Sequence, residues 1–330
     1  METKTETRKR LRVGVVGTGA IARVAHFPVL TALPEAELAA VYSGHYENAA
    51  AAAARYGVGK ACRSFEEFLD TELDCAFLLT PKTVRREYLL PMLTNGLDIF
   101  CEKPLSTSLP ECAALADAAA KSGRIVMVGF NRRFAPCNKR MIAAFGDRRP
   151  QVVNAVKCRE FKEFRGTLEN AIHMVDLLRY MLGECAQVEA RALFTDPFYE
   201  DLCTAQRGFE NGSVGMLTAS REAGQWREHV EAYGGGITAL SEDLDSCRVI
   251  YGDHEEGVSM KPLHKGWCDT VERIGFKGCI EHFIRCVQTR ETPLTSVEDA
   301  YKTHELMDRI LRAAGLPDLQ TDYPYRDPLY

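Results

Sequence analysis

The chain has 330 residues, of which 46% are hydrophobic and 26% charged, and its formal net charge is −5 at pH 7. This length predicts about two domains, and the composition is that of an ordinary globular protein. The acidic balance, with no basic block beyond Arg8-Lys9-Arg10, argues against nucleic acid as a partner. No apolar run approaches the roughly 20 residues of a membrane span, and the polar N-terminus lacks a signal-peptide core, so we expect a cytoplasmic protein without a membrane partner.

The 12 cysteines lie singly along the chain. None forms a C-x-x-C pair, and no cysteine or histidine spacing is typical of a zinc site. In a chain with no export signal, such cysteines are expected to be reduced thiols, most of them in the core. The sequence therefore predicts no metal site.

The first half alternates short apolar strands with helices. Residues 11–16 form a β-branched run that enters a glycine turn, followed by an amphipathic stretch to about residue 33 and a strand at 38–42. Such alternation predicts an α/β domain with a parallel, doubly wound sheet. The remaining predicted elements of this half are strands at 61–63, 75–79, 98–101 and 125–128 and helices at 47–56, 65–70, 84–95 and 108–122.

The alternation stops after Gly129. Hairpin signals at Asn211-Gly212 and at the glycines 234–236 punctuate a strand-like region. The sequence therefore predicts a dinucleotide-binding domain over 1–129 and an α+β domain with a mostly antiparallel sheet over 130–330. The predicted elements of the second half are helices at 134–145, 167–182, 279–290 and from 297 on, a strand at 152–161, and strands between 187 and about 260.

The turn after the first strand reads Gly17-x-Gly19-x-x-Ala22. In a dinucleotide-binding turn the first glycine permits the tight turn, the second lets the backbone approach the pyrophosphate, and the third small residue allows close helix packing. The flanking strand and helix are both present, so the pattern favours nucleotide binding over an ordinary glycine turn.

The end of the second strand bears on the choice between NAD and NADP. An acidic residue there would bind the ribose 2′-hydroxyl. This chain has Tyr42-Ser43-Gly44-His45-Tyr46, with no carboxylate before Glu47 and no Arg or Lys nearby in the sequence. Ser43 and His45 are suited to receive a 2′-phosphate, which gives a slight preference for NADP.

Cys101-Glu102-Lys103-Pro104 closes a short apolar strand. The proline keeps Lys103 out of the α region, at the carboxyl end of a strand, where open α/β sheets bind ligands. We interpret Lys103 as an ammonium that donates to a substrate hydroxyl or carbonyl, with Glu102 tuning it. A solvated lysine is the alternative.

Glu169, His173, Asp176 and Tyr180 form one polar stripe along the helix predicted at 167–182. A carboxylate and an imidazole one turn apart can reach one substrate. A solvated helix face with a local ion pair explains the stripe equally well.

Asn131, Arg132 and Arg133 follow the last strand of the first half. Two guanidinium groups and an amide suit a polyol or an anionic substrate. A domain junction with salt bridges is the alternative reading, and the two are compatible.

Taken together, the motifs resemble those of the Gfo/Idh/MocA oxidoreductases in order and spacing, over essentially the whole chain. The segment 261–284 and the ending Phe134-Ala135-Pro136 resemble the MviM-like branch of that family. The matching motifs are Gly17-x-Gly19-x-x-Ala22, Thr80-Pro81, Glu102-Lys103-Pro104, Gly129-Phe130-Asn131-Arg132-Arg133 and His173-x-x-Asp176.

The resemblance implies an N-terminal Rossmann domain and a C-terminal domain with a large open sheet, often used for dimer contacts. It implies hydride transfer between NAD(P) and a sugar, inositol or related polyol. Lys103 takes the place of the family lysine and His173 that of the family acid/base. Glu169 stands where the family usually has aspartate, and Arg85 where many members have histidine, which favours an anionic partner.

The expected site residues fall into three groups. The catalytic residues are Lys103, His173 and Glu169, and the substrate-binding residues are Arg85, Asn131, Arg132, Arg133 and Asp176. Cofactor binding is expected at Gly17, Thr18, Gly19, Ala20, Ile21, Ser43, His45, Thr80, Pro81, Glu102 and Lys103.

The leading functional hypothesis is an NAD(P)-dependent oxidoreductase that acts on a secondary alcohol or carbonyl and forms a homodimer or higher homo-oligomer. An NAD-assisted glycosidase on the same fold is a second reading. A non-catalytic nucleotide-binding regulatory protein is a third.

Overall fold

Parallel strands and their connecting helices build the first unit of the computed structural model, which describes residues 10–160, 165–193, 200–261 and 270–319. The strand order in its six-stranded sheet is β3-β2-β1-β4-β5-β6, and every neighbouring pair is parallel. The strands are β1 Leu11–Val16, β2 Ala36–Tyr42, β3 Lys60–Cys62, β4 Cys75–Leu78, β5 Asp98–Cys101 and β6 Val126–Val128.

Burial follows from this parallel arrangement. The residues of β4, β5 and β6 are all buried, as expected for strands covered on both faces. A π-helical turn at Ala22–His26 precedes the first helix. The helices of this half of the chain are α1 Phe27–Ala32, α2 Tyr46–Tyr56, α3 Phe65–Leu69, α4 Arg85–Thr94 and α5 Leu109–Ser122.

The second unit contains an eight-stranded sheet in the order β14-β13-β12-β11-β7-β10-β9-β8. Only β7 and β10 pair in parallel, and the other pairs are antiparallel. The strands are β7 Val152–Cys158, β8 Cys185–Leu193, β9 Leu202–Phe209, β10 Val214–Ser220, β11 Arg227–Gly234, β12 Ile237–Glu242, β13 Ser246–Ile250 and β14 Glu255–Ser259.

One face of this sheet is covered by a helix. A Cβ added to Gly215 on β10 would lie 3.1 Å from Leu182 and 3.3 Å from Leu178, so the helix that carries these leucines packs directly on the strand. Along β9 and β10, buried and exposed residues alternate, as in an antiparallel sheet with one open face. The helices of the second half are α6 Pro136–Ala143, α7 Ile172–Leu182, α8 Thr270–Arg273, α9 Phe276–Thr289 and α10 Val297–Ala313.

The predicted fold class is confirmed: a doubly wound parallel sheet and a mostly antiparallel one. The hairpin at Asn211-Gly212 is also confirmed, because β9 ends at Phe209 and β10 begins at Val214, and the Asn211 side chain accepts from the Ser213 N–H at 3.1 Å. None of the helices in the described ranges is both long and apolar enough to cross a bilayer.

Two helix predictions differ from the structure. The helix predicted at 167–182 is a π-helical turn at Gly166–Ala171 followed by α7. The helix predicted at 134–145 is shorter, because α6 begins at Pro136, which suits a first helical position, after a 3₁₀ turn at Asn131–Phe134. The strand predicted at 152–161 is shorter, because β7 ends at Cys158 and residues 159 and 160 are not in a strand. Residue 161, and residues 262–269 within the MviM-like segment, lie outside the described ranges.

Both units are built from non-contiguous segments. The first comprises the described residues up to Glu102, together with Ala114–Gly129 and Cys279–Val297. Within it, the Thr295 hydroxyl donates to the Val128 carbonyl at 2.7 Å. The predicted domains, 1–129 and 130–330, are each one continuous segment, and this division stays a prediction.

The second unit likewise draws on three segments of chain, Lys103–Ala113, Phe130–Gly278 and the described residues from Glu298 on. Inside it, the Leu105 N–H donates to His304 of α10 at 3.0 Å. The short segment after β5 therefore belongs to the packing of this unit.

Candidate active site

The glycine turn after β1 has the shape that the sequence predicts. Gly17 has φ +98°, and a Cβ added there would lie 2.8 Å from the carbonyl carbon and oxygen of Leu79. Its N–H donates to the Tyr42 carbonyl at 2.9 Å, and helix begins at Ala20. Only glycine fits this position. The N–H groups at the N-terminus of the helix that follows are suited to bind a pyrophosphate.

Thr18, Gly19 and Ile21 lie in the same turn and its helix start, as predicted. The Thr18 hydroxyl donates to the Ser43 hydroxyl at 3.3 Å, which ties the turn to the end of β2. His45, the residue before α2, is exposed. The structure thus brings these predicted cofactor residues to one edge of the sheet.

The end of β4 holds two buried polar groups that lack partners. The Thr80 hydroxyl and Nη1 of Arg85 have no hydrogen-bond partner among the described residues, although Arg85 is only 4% exposed. Arg85 Nε donates to the Thr80 carbonyl at 3.3 Å. Buried polar groups are normally hydrogen-bonded, so Thr80-Pro81 and Arg85 fit a polar ligand at the carboxyl edge, as a dinucleotide is.

We expect Gly17→Ala to weaken the binding of NADH and NADPH about tenfold or more, because the added Cβ meets backbone and the φ of +98° is strained for alanine. Titration followed by nicotinamide fluorescence measures the loss. Gly57→Ala is the matched control, since Gly57 has φ +68° but no atom within 4 Å of its Cβ position. Normal nucleotide affinity in Gly17→Ala would contradict the role given to this turn.

Glu102 is held by a histidine that the sequence did not single out. His26 Nε2 and Glu102 Oε1 are 2.8 Å apart, and both side chains are buried. The His26 ring packs edge-on against Phe77 and Phe100. The predicted cofactor role of Glu102 stays a prediction, and the structure shows its carboxylate oriented by His26.

The three predicted catalytic residues come together in the second unit. Lys103, which precedes a cis peptide bond to Pro104, donates from Nζ to the backbone carbonyl of Glu169 at 2.7 Å. The Glu169 carboxylate accepts from the Arg165 N–H at 3.3 Å. His173 lies at the start of α7 and is 6% exposed. The readings of a solvated lysine and a solvated helix face are therefore wrong.

His173 is poised to accept a proton. Its Nδ1 has no hydrogen-bond partner among the described residues. Burial, reinforced by the positive charges of Arg132, Lys103, Lys157 and Arg159, holds the pKa of the His173 imidazole well below its ordinary value of 6.5. The ring is therefore neutral near neutral pH, which is the form a general base requires.

A buried ion cluster supplies two of these charges. Arg132 makes a two-pronged contact with Glu228, Nε to Oε1 at 2.7 Å and Nη2 to Oε2 at 3.0 Å, and Lys157 Nζ also contacts that carboxylate. Burial raises the pKa of Glu228, but Arg132 and Lys157 outweigh it and hold that pKa at about 2. Glu228 is therefore ionised, and Arg132 is engaged inside the protein.

Trp226 completes this part of the site. The Lys157 ammonium and the Arg159 guanidinium each lie 5.3 Å from the centre of its ring, and the side chain is 46% exposed. Lys157 lies in β7 and Arg159 directly follows the strand, two positions later. Residues two positions apart in extended chain project from the same face of a sheet. Sequence reasoning missed both residues and Trp226, because their meeting depends on the pairing of β7 with β11.

Arg133 and Asp176 face each other rather than an open surface. Arg133 Nε and Nη2 donate to the two Asp176 carboxylate oxygens at 2.8 and 2.5 Å, and Nη2 also contacts Asp299 at 2.7 Å. Their side chains are 2% and 0% exposed. Asn131 donates to the Ile274 carbonyl at 2.9 Å. These contacts all lie within the second unit. The domain-junction reading and substrate contact by Asn131, Arg133 and Asp176 both stay predictions.

One cluster in the described part of the chain has donor atoms of the kinds that bind metal: His282, Cys286 and Glu291 lie within 4.8 Å of one another. Arg285 Nε already donates to Glu291 at 2.6 Å. Burial, together with the negative charge of Glu291, raises the pKa of the Cys286 thiol to about 12. The Leu294 N–H also donates to His282 Nε2 at 2.8 Å, so His282 and Glu291 are both hydrogen-bonded within the protein, and we assign no ion to this cluster.

Two family models and several known proteins are similar to this chain. One family model, described as an oxidoreductase family with an NAD-binding Rossmann fold, matches residues 11–130, and the GFO/IDH/MocA C-terminal domain model matches residues 142–238. D-xylose 1-dehydrogenase (NADP(+)) 2 of Haloferax volcanii is 30% identical over 323 residues, which are 91% of this chain and 96% of that protein.

Two further similarities cover nearly the whole chain. The scyllo-inositol 2-dehydrogenase (NAD(+)) of Bacillus subtilis is 27% identical over 316 residues, 88% of this chain and 90% of that protein. The crystal structure of the dehydrogenase MviM from Clostridium difficile matches with a TM-score of 0.83 at 21% identity, covering 93% of this chain and 100% of that one. The crystal structure supports the fold.

The two models divide the chain much as its two sheets do, one over the glycine turn and the parallel sheet, the other over most of the antiparallel sheet. The relatives span both parts, and they are named as dehydrogenases. The chain therefore belongs to the Gfo/Idh/MocA oxidoreductases and has an NAD(P)-binding Rossmann fold in its N-terminal half.

Proposed function

We propose that this oxidoreductase transfers hydride between NAD(P) and a secondary alcohol or carbonyl of a sugar, an inositol or a related polyol. The observation that carries the proposal is the neutral, buried His173, whose Nδ1 has no partner among the described residues. The charge of the Lys103 ammonium is one of the causes that lower the pKa of His173. A base and an adjacent cation are what proton transfer from a hydroxyl requires. The relatives named for D-xylose and scyllo-inositol support the substrate class.

The chemistry divides between cofactor and protein. The bound nicotinamide supplies the hydride acceptor or donor. In alcohol oxidation His173 takes the hydroxyl proton, and Lys103 donates a hydrogen bond to the same oxygen as its bond to carbon gains double-bond character. The Glu169 carbonyl fixes the Lys103 ammonium at 2.7 Å, so Glu169 acts here through its backbone. In the reverse direction His173 returns the proton.

We further propose that the substrate carries an anionic group. The positive charges of Arg132, Lys103, Lys157 and Arg159 all lower the pKa of His173, so a positive potential acts at this imidazole. Trp226 adds a half-exposed aromatic face beside two of the cations, and such a face suits the apolar side of a sugar ring. The arginine at position 85, where many members of the family have histidine, favours an anionic partner as well.

A substrate panel tests this proposal. Neutral sugars and inositols are compared with the matching sugar acids and sugar phosphates, and reduction of NAD(P) is followed by absorbance. Turnover of a CH–OH substrate, with higher kcat/KM for the anionic member of a pair, is the expected result. A cofactor that stays bound and never exchanges, together with cleavage of glycosides, would favour the glycosidase reading instead.

The pH dependence of oxidation follows from the charges around His173. The neutral imidazole is the active base, so a pKa held well below 6.5 extends activity toward lower pH. We expect Arg159→Met, which removes one of the cations, to raise that pKa and move the acid limb of kcat/KM upward toward pH 6.5. Arg248→Met, at an exposed pair with Glu255, is the control and should leave the profile unchanged. An unmoved limb in Arg159→Met would contradict the assignment of the base.

We also propose that the protein works in the cytoplasm as a homodimer or higher homo-oligomer, with the open sheet face as the contact. On that face Leu193 of β8 is 63% exposed and Met216 of β10 is 43% exposed. Exposure of these apolar side chains to water is unfavourable, and a second subunit on this face would bury them. Sedimentation of the unmodified protein measures its assembly state.

A further inference from the structure

The carboxyl ends of β2 and β3 place an arginine beside the turn that discriminates NAD from NADP. The two strands pair in parallel, with Tyr42 opposite Cys62. The next residue of each strand, Ser43 and Arg63, therefore emerges at the same edge of the sheet. Sequence reasoning found no Arg or Lys near Ser43, because Arg63 is 20 positions away and meets it only through this pairing.

The Arg63 guanidinium is held at this edge by an aromatic ring. Its central carbon lies 4.1 Å from the centre of the Tyr46 ring, and Tyr46 is the first residue of α2, directly after His45. Such cation–π contacts favour a defined side-chain position. The guanidinium therefore lies against Tyr46, the residue that directly follows the Ser43-Gly44-His45 turn.

The Glu67 carboxylate is the described acid that interacts with Arg63, whose backbone N–H and, to a smaller extent, positive charge lower the pKa of Glu67. Glu67, the acid nearest in sequence, contacts Lys60 Nζ at 3.1 Å and accepts from the backbone N–H of Arg63 at 2.7 Å, so its oxygens are already engaged. The Arg63 side chain is exposed and makes no ion pair within the described ranges. An exposed guanidinium that packs on an aromatic ring and has its N–H groups out of direct ion pairs in the described ranges is suited to a phosphate.

Ser43 is arranged to donate toward the same place. It accepts from the Thr18 hydroxyl at 3.3 Å, which leaves its own hydroxyl hydrogen available. No carboxylate stands at the end of β2 to repel a dianion, since Tyr42 is followed by Ser43, Gly44 and His45. The edge therefore offers donors and positive charge where a dinucleotide's adenosine ribose lies in this fold.

We propose that Arg63, together with Ser43 and His45, binds the 2′-phosphate of NADP(H) and makes this chain prefer NADP over NAD. Arg63 is a cofactor-specificity residue that takes no part in the hydride or proton step. The inference rests on the proposed NAD(P)-dependent function and names which dinucleotide the enzyme selects.

Calorimetric titration with two nucleotide fragments tests the inference without any turnover. Adenosine 2′,5′-bisphosphate carries the 2′-phosphate, and AMP lacks it. The unmodified protein should bind the bisphosphate more tightly, and Arg63→Ala should weaken that binding about 10- to 100-fold while leaving AMP binding unchanged. The matched control is Arg55→Ala, because Arg55 lies 5.3 Å over Tyr56 at the other end of α2.

The possible results separate the inference from the function on which it rests. Equal affinity for the two fragments in the unmodified protein, or an unchanged bisphosphate affinity in Arg63→Ala, overturns the role of Arg63 and leaves the dehydrogenase proposal standing. Equal weakening by Arg55→Ala overturns the role as well. Failure of the unmodified protein to bind either fragment or NAD(P)H overturns both.

Discussion

Replacing Lys103 with methionine is expected to lower kcat by about 10²- to 10⁴-fold while leaving the Kd for NADPH nearly unchanged. The loss follows because methionine keeps most of the length of the side chain but removes the ammonium that the Glu169 carbonyl positions at 2.7 Å. It also removes one of the positive charges that depress the pKa of His173. Steady-state kinetics and a fluorescence titration on the same preparation measure the two quantities.

Lys139→Met is the control for this variant, because Lys139 is an exposed lysine on α6. It should retain full kcat. Normal turnover in Lys103→Met would remove Lys103 from the catalytic machinery. A loss confined to NADPH affinity would move the residue from the proton-transfer step to cofactor binding.

Replacing Arg133 with methionine is expected to lower the free energy of unfolding by about 3–5 kcal/mol. The substitution leaves the Asp176 carboxylate, which is fully buried, without the two-pronged partner that now compensates its desolvation. The remaining contact, from the Thr303 hydroxyl at 3.1 Å, is a single hydrogen bond. Urea unfolding followed by circular dichroism measures the change.

Two further variants make this expectation specific. Arg248→Met breaks an exposed pair with Glu255 and should cost less than about 1 kcal/mol. The double variant Arg133→Met/Asp176→Leu removes the buried charge as well and should be more stable than Arg133→Met alone. If the double variant were the less stable of the two, the cost would lie in lost packing rather than in an unpaired carboxylate.

The doubly wound half was predictable because its local signals agree with one another. Its strands are short apolar runs, and glycines such as Gly57 and Gly96 end the helices in left-handed conformations. The second half was predictable only as a class. Hairpins between neighbouring strands have local signals, but β7 lies between β10 and β11, and no local signal encodes such a long-range pairing.

The candidate site divides in the same way. Lys103, Glu169 and His173 were found because each sits in a motif of a few residues. The roles that we propose for Arg63, Lys157 and Trp226 could not be predicted from the sequence, because they depend on strands that are distant along the chain. Burial on α7 could not be predicted, because the polar stripe suited a substrate site and a solvated face equally well; in the structure Asp176 of this stripe is fully buried. Periodicity shows which residues share a face, but it does not show what covers that face.

The interleaved composition of the two units bears on how this chain can be divided. A break at residue 129 would separate Val128 from Thr295, whose hydroxyl donates to it, and would separate Leu105 from His304, to which its N–H donates. Each fragment would then lack a segment that its own unit packs around. We therefore expect a cut at this boundary to destabilise both fragments, and the Rossmann fold and the antiparallel sheet to be inherited together.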